Sequence, residues 1–213
     1  MRYSNGIKLL TTTALMLLLA GEAAAQVCLG LPAGEGQISL QGEVSARGSQ
    51  PAVGGRLGLN FNTEYSLGFG VRRAEYDAGR GLTLSASLGY EMEDYAPPVC
   101  FVVGVQHERI PREEAADSAV TIVPIGIGIG KRLGSARGLS LALFILPEYL
   151  YVAKPSPEGE FETFWDELQA RSHGRGSIGL IVSTPFIFAT GRVEVSTMNN
   201  YTPTVSLGVG LIF

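Results

Sequence analysis

The chain has two histidines, and each stands beside a residue that hydrolases use for catalysis. His107 precedes Glu108, and His173 follows Ser172. A serine nucleophile needs a histidine that takes its proton and an acid that orients the histidine. However, Ser172 and His173 are adjacent and fall in a connection, so they cannot be assumed to face each other. We expect polar rim or loop residues here and predict no catalytic site.

The segment "GIGIGK" (126–131) has the glycine and lysine content of a phosphate-binding loop. A phosphate loop delivers its anion to the N-terminus of a following helix. Each glycine here alternates with isoleucine, and no helical pattern follows. The segment is therefore predicted to be a strand, and no cofactor is predicted for the chain.

The N-terminus has the layout of an export signal. Arg2 and Lys8 precede the apolar run 9–20, and Ala23 and Ala25 form a small-x-small cleavage site. The run is short for a membrane helix, which needs about 20 apolar residues. Residues 1–25 are therefore predicted to be removed after export. The formal net charge of −4, without a basic cluster, excludes nucleic acid as a partner.

From Gly36 onward, apolar and polar residues alternate with a period of two, which is typical of strands with two different faces. About ten such segments occur, each near the 9 to 11 residues of a tilted membrane-spanning strand. The predicted fold is all-β, an antiparallel up-and-down barrel over 36–213 that follows a tail at 26–35. Eight strands are the alternative, because 61–70 and 184–191 can be misread.

Two closed barrels fit this alternation, and they differ in which face meets solvent. A soluble barrel buries its apolar face, whereas a membrane barrel turns that face to lipid. The polar face is rich in glycine and serine, as expected for a narrow lumen, whereas a water-facing sheet is expected to carry mainly lysine, glutamate and threonine. The membrane barrel is favoured, with these charges in its lumen: Glu43, Arg56, Arg72, Glu91, Arg192 and Glu194.

The connections support the same topology. The long polar connections, 111–118 and 153–174, follow odd-numbered segments, whereas the connections after the second and sixth are short. Long connections are thus expected on one side, facing outward. Aromatic residues are expected in interfacial girdles: Phe61, Tyr65, Tyr90, Phe101, Phe186, Phe188 and Phe213 at the inner edge, and Tyr76, Tyr149, Tyr151 and Tyr201 at the outer edge.

The chain ends "TVSLGVGLIF", an alternating strand with a terminal phenylalanine. This ending resembles the C-terminal signature of outer-membrane β-barrel proteins, and the whole pattern is similar to the small barrels of the OmpA and OmpX type. The resemblance implies a monomer in the cell outer membrane, in contact with its lipid and lipopolysaccharide and inserted by the barrel-assembly machinery. The implied assembly signal consists of Tyr201, Val205, Leu207, Val209, Leu211 and Phe213.

The same topology places both cysteines toward the same rim of the barrel. Cys100 falls at the start of the fifth strand, and Cys28 falls in the tail just below the first strand. Cysteines of exported proteins pair where oxidation is maintained. A disulfide between Cys28 and Cys100 is predicted.

The longest connection carries an amphipathic stretch at 158–171. Phe161, Phe164, Trp165 and Leu168 have the i, i+3, i+4, i+7 spacing of one helical face, and acidic residues occupy the other positions. The apolar stripe can cap the lumen, lie on the outer leaflet or meet a partner.

The predicted function is a structural or surface-interaction role through the outward connections, because a barrel of this size leaves little room for a large diffusion pore. Two alternatives stay open. One is an outer-membrane lipid hydrolase at the barrel rim, and the other is a soluble periplasmic barrel that carries a lipid.

Overall fold

The computed structural model describes residues 29–30, 36–61, 64–76, 79–92, 98–111, 118–134, 138–153, 172–197 and 202–213. Ten strands form the fold: β1 Ile38–Arg47, β2 Gln50–Asn60, β3 Tyr65–Tyr76, β4 Gly79–Met92, β5 Val99–Ile110, β6 Ser118–Gly134, β7 Ser140–Ala153, β8 His173–Ser183, β9 Ile187–Ser196 and β10 Thr204–Ile212. No helix among the described residues is long and apolar enough to cross a membrane.

Each strand pairs antiparallel with its neighbours in the chain, and β1 also pairs with β10, so the sheet is a closed barrel. The seam continues to the last residue. The amide of Phe213 donates to the carbonyl of Ile38 at 2.8 Å, and the amide of Ile38 donates back at 3.1 Å. The predicted fold class and ten strands are confirmed, and the eight-strand alternative is wrong. The "GIGIGK" segment lies within β6.

Alternation along the strands gives the barrel an apolar exterior. Every strand turns large apolar side chains outward, where they stay exposed on the isolated chain. One example from each strand, in order from β1 to β10, is Leu40, Val53, Phe69, Leu84, Val103, Ile127, Ile145, Ile178, Val193 and Leu207. We call this surface the apolar belt.

Two aromatic residues predicted for the girdles lie inside the barrel instead. Phe188 is buried in the lumen, and Tyr76 faces the lumen near the top of β3. Both occupy inward positions of their strands. The alternation of inward and outward positions along a strand therefore outweighs the preference of aromatic residues for the membrane interface. The aromatic residues Phe61, Tyr65, Phe101, Tyr149, Tyr151, Phe186 and Phe213 are exposed on the outside, whereas Tyr201 lies outside the described residues.

Glycines on the inward face make room for large side chains rather than leaving the lumen open. A Cβ atom at Gly179 would overlap the ring of Phe144, and one at Gly210 would overlap the ring of Phe188. Both rings are buried, at 4% relative exposure each. The small inward residues therefore pack against large inward side chains, and together they fill the interior.

The alternating directions of the strands define two ends of the barrel, and the longest connections lie at one of them, together with the two-residue connections 48–49 and 77–78. The connections 61–64, 93–98, 135–139 and 184–186, together with the start of β1 and the end of β10, lie at what we call the short-turn end. The connections 111–117 and 154–172 lie at the opposite, long-connection end. Both are slightly shorter than predicted, because Ser118, Ala153, His173 and Gly174 belong to strands.

Candidate functional site: the barrel lumen

An apolar cluster fills part of the lumen. Its members come from β5 and from β7 to β10, and Leu29, which precedes β1, extends the cluster to Gly68 of β3. They are Leu29, Cys100, Val102, Ala142, Phe144, Leu146, Ile181, Phe188 and Ile212. Cys100 and Phe188 are the second residues of β5 and β9, and Ile212 is the last residue of β10, so the cluster lies toward the short-turn end. We call it the apolar plug.

The plug was not predicted from the sequence because β7 is apolar on both faces. Ala142, Phe144 and Leu146 point inward, while their neighbours Leu143 and Ile145 point toward lipid. A run without polar alternation does not reveal which residues face the lumen. The signal available in the sequence was the absence of glycine or serine between Ser140 and Ala153.

The plug includes a residue that precedes the first strand. The side chain of Leu29 is buried at 7% exposure, and its carbonyl accepts a hydrogen bond from Nη2 of Arg56 at 2.7 Å. Gly30 has φ of 66°, which favours glycine. A periplasmic tail was predicted for 26–35, and these two residues of it lie inside the barrel.

Ion pairs lie next to the plug. Nε of Arg175 contacts Oε2 of Glu148 at 2.8 Å, and its Nη1 lies 3.8 Å from Oε1 of Glu194. Arg192 pairs with the other oxygen of Glu194. Glu148 and Arg175 are direct cross-strand partners of β7 and β8, so the sheet register sets their contact.

All six predicted lumen charges occupy inward positions of their strands: Glu43, Arg56, Arg72, Glu91, Arg192 and Glu194. Glu148 and Arg175, which complete the ion-pair network, were not predicted. Arg175 was missed because it directly follows the predicted long connection 153–174 and precedes the recognised alternation. Its spacing of two residues from Ser177 was the signal that places it on the inward face.

A small cavity of about 150 Å³ remains among these charges. Arg56, Arg72, Arg175 and Arg192 line it together with Glu43, Glu148 and Glu194. Sites for drug-sized ligands occupy about 300 to 1,000 Å³, so this space suits ordered water or a small ion only. The described residues hold no group of three or more histidine, cysteine or acidic side chains placed for a metal ion.

The residues considered for hydrolysis are held apart by the topology. Glu108 on β5 accepts a hydrogen bond from the hydroxyl of Tyr76 at 2.5 Å. His107 faces outward, and its Nδ1 lies 3.1 Å from Oγ1 of Thr121. His173 begins β8, and two strands separate it from β5.

The other predicted site residues fall partly outside the described chain. In β10, Val205, Leu207, Val209 and Leu211 face outward and are exposed, as is Phe213. The loop residues Phe161, Phe164, Trp165 and Leu168 lie outside the described residues. Cys100 is buried and disulfide-bonded. Its predicted partner Cys28 lies outside the described residues, so the pairing stays a prediction.

No protein-family model and no curated protein sequence match the chain. Several solved structures share its architecture. The N-terminal β-barrel domain of Pseudomonas aeruginosa OprF is 14% identical, with a TM-score of 0.47 over 85% of this chain and 100% of that chain. The β domain of the Bordetella autotransporter BrkA is 10% identical, with a TM-score of 0.48 over 83% and 97%. The translocator domain of NalP from Neisseria meningitidis is 13% identical, with a TM-score of 0.41 over 99% and 95%.

These identities and TM-scores are too low to assign the fold of this chain to a class. The assignment depends on the geometry of the chain itself. The described strands form a closed sheet without a free edge, and an apolar belt surrounds it. A closed sheet with this exterior satisfies its backbone hydrogen bonds inside lipid. The chain has the fold of a transmembrane β-barrel. Its apolar faces therefore meet lipid rather than enclose a carried ligand.

The ion pairs predict how the barrel responds to the loss of one charge. Glu148→Gln removes the carboxylate from Arg175 and leaves a poorly solvated cation, which should lower the free energy of unfolding by about 3 kcal/mol. Glu75→Gln is the matched control, because its partner Arg80 lies on the exposed surface at 3.6 Å. Loss of that pair should cost less than about 1 kcal/mol. Urea unfolding of the lipid-inserted barrel measures both changes, and equal effects would contradict the assigned network.

Proposed function

We propose that this protein is a sealed outer-membrane barrel with a structural or surface-interaction role, and that it is not a diffusion pore. The observation that carries the proposal is the apolar plug, in which Leu29, Phe144 and Phe188 pack across the lumen. A pore needs a continuous water-filled path, which a packed apolar layer interrupts. The barrel then serves as a rigid support for its connections.

The charges of the lumen support the same proposal. Arg175 and Arg192 are engaged by Glu148 and Glu194, and Arg56 donates to the carbonyl of Leu29. Charges that are paired with one another stabilise the interior. A selective channel uses a continuous ring of charges of one sign, and paired charges do not form such a ring. We infer that the polar lumen is structural.

The connections at the long-connection end, 111–117 and 154–172, are the proposed interaction surface. Their sequences include acidic residues and the apolar stripe of Phe161, Phe164, Trp165 and Leu168. In this proposal the protein is a monomer without catalytic activity. It contacts membrane lipid and lipopolysaccharide, and the barrel-assembly machinery inserts it with the help of the outward face of β10.

The proposed seal is tested by conductance across a planar lipid bilayer. The complete mature protein should insert without producing stepwise conductance in concentrated potassium chloride, because the apolar plug excludes hydrated ions. As a control, unheated and boiled protein are compared on a gel. A difference in migration shows that the protein added to the bilayer was folded. Stable open steps from folded protein would contradict the seal.

The proposed orientation predicts which connections a surface label can reach. A short epitope inserted after Pro157 should bind antibody on intact cells, because it lies in the connection between β7 and β8. The same epitope inserted after Ser135, between β6 and β7, is the control and should bind only after the membrane is permeabilised. Labelling of the second insertion alone on intact cells would mean that the barrel has the opposite orientation.

A further inference from the structure

Two opposite sides of the lumen carry inward residues of very different size. In the ring of ten strands, β2 to β4 lie opposite β7 to β9. Strands β7 to β9 contribute the largest side chains of the apolar plug. On the opposite side, Gly68 of β3 pairs with Gly58 of β2 and with Ser87 of β4. We call Gly58, Gly68 and Ser87 the small-residue row, and their own side chains cannot fill the space beside them.

Leu29 fills that space. A Cβ atom at Gly68 would lie 3.2 Å from Cδ1 of Leu29, so the leucine side chain lies against the small-residue row. On its other side, Gly30 lies next to the ring of Phe144, which a Cβ atom at Gly30 would approach to 3.1 Å. Leu29 and Gly30 therefore occupy the section of the lumen between β3 and β7.

Contacts inside the lumen, and not the sheet, hold Leu29 in place. The residue precedes β1 and belongs to no strand. Its side chain is a member of the apolar plug, and its carbonyl accepts the hydrogen bond from Arg56. A substitution at Leu29 thus changes the filling of the lumen without removing a hydrogen bond between strands.

The lumen wall above and below Leu29 is polar. Toward the long-connection end, Leu29 itself borders the charged cavity, together with Arg56 and Ser85. Toward the short-turn end, Ser66 pairs with Asn60 and with Gly89, so the next inward row on the same strands is also small and polar. From the cavity to the short-turn end, the inward residues of β2 to β4 are Arg56, Gly58, Asn60, Ser66, Gly68, Gly70, Ser85, Ser87, Gly89 and Glu91. None of these inward residues has a large apolar side chain, so Leu29 is the apolar constriction beside this wall.

We propose that the side of the lumen along β2 to β4 is a pathway for small hydrated ions, and that Leu29 closes it. The proposal rests on the proposed seal and identifies the side chain on which the seal depends. Ions cross a protein along small and polar side chains, and an apolar constriction stops them by excluding water. The opposite side is packed without Leu29, because the rings of Phe144 and Phe188 fill the space over Gly179 and Gly210. Loss of one side chain should therefore open the barrel.

Conductance of the complete mature protein carrying Leu29→Ser tests the pathway in a planar lipid bilayer with concentrated potassium chloride. Folded L29S should produce discrete open steps where the wild type produces none, because the shorter, polar side chain lets water join the cavity to the short-turn end. Ile181→Ser is the matched control. It makes the same change of size and polarity in the plug, at a residue of β8 that is 1% exposed and lies on the packed side. It should remain closed.

A second substitution refills the space from the barrel wall. In L29S/S87L, a leucine on β4 projects from the small-residue row, and the open steps should disappear. The comparison of unheated and boiled protein on a gel shows that each variant is folded, and L29A replaces L29S if the latter does not fold.

Three results would each overturn the proposal: no steps from folded L29S or L29A, equal steps from Ile181→Ser, or steps that persist in L29S/S87L. Open steps from the wild type would contradict the seal itself. A closed wild type with a closed, folded Leu29 variant would leave the seal intact and remove only the pathway, so the two proposals fail on different results.

Discussion

Inside hydrocarbon, a backbone amide that leaves its sheet finds no water to replace the lost hydrogen bond, and this constraint governs the whole barrel. The ten strands satisfy it only because β1 pairs with β10. The closing seam extends to the reciprocal hydrogen bonds of Ile38 and Phe213, so that even the terminal residue is held in the sheet. These bonds hold Phe213 in the sheet with its ring on the lipid-facing side.

Closure also determines the interior. Ten tilted strands enclose a narrow space, and the side chains that point inward must fill it or leave a channel. In this barrel, residues of unequal size face each other: the ring of Phe144 lies over Gly179, and the ring of Phe188 lies over Gly210. Where the filling is polar, glutamate and arginine meet at distances that satisfy both charges. The result is a layered lumen with the apolar plug toward one end and ion pairs next to it.

The sequence was sufficient for the antiparallel topology and the two faces and favoured ten strands over eight, because neither helices nor loops sustain a period of two over so many segments. It was insufficient where alternation failed. The inward apolar face of β7 was hidden by an equally apolar outward face, and Arg175 was hidden by its position beside a long connection. The entry of Leu29 into the lumen was not predictable from the sequence. It depends on the space that side chains of distant strands leave inside the barrel, and no local sequence pattern reveals that space. Tyr76 and Phe188 show that strand parity is a better guide to orientation than residue type.

The most direct test of this architecture is whether the apolar belt meets lipid. Replacing Trp165, the one tryptophan of the chain, with phenylalanine gives a background into which Leu207→Trp is introduced on the outward face of β10. Fluorescence quenching is then measured with brominated lipids and with aqueous iodide. We predict strong quenching by the brominated acyl chains and little by iodide, because position 207 lies in the belt. Quenching by iodide without quenching by the lipids would contradict the membrane barrel and would mean that this face does not lie in a membrane.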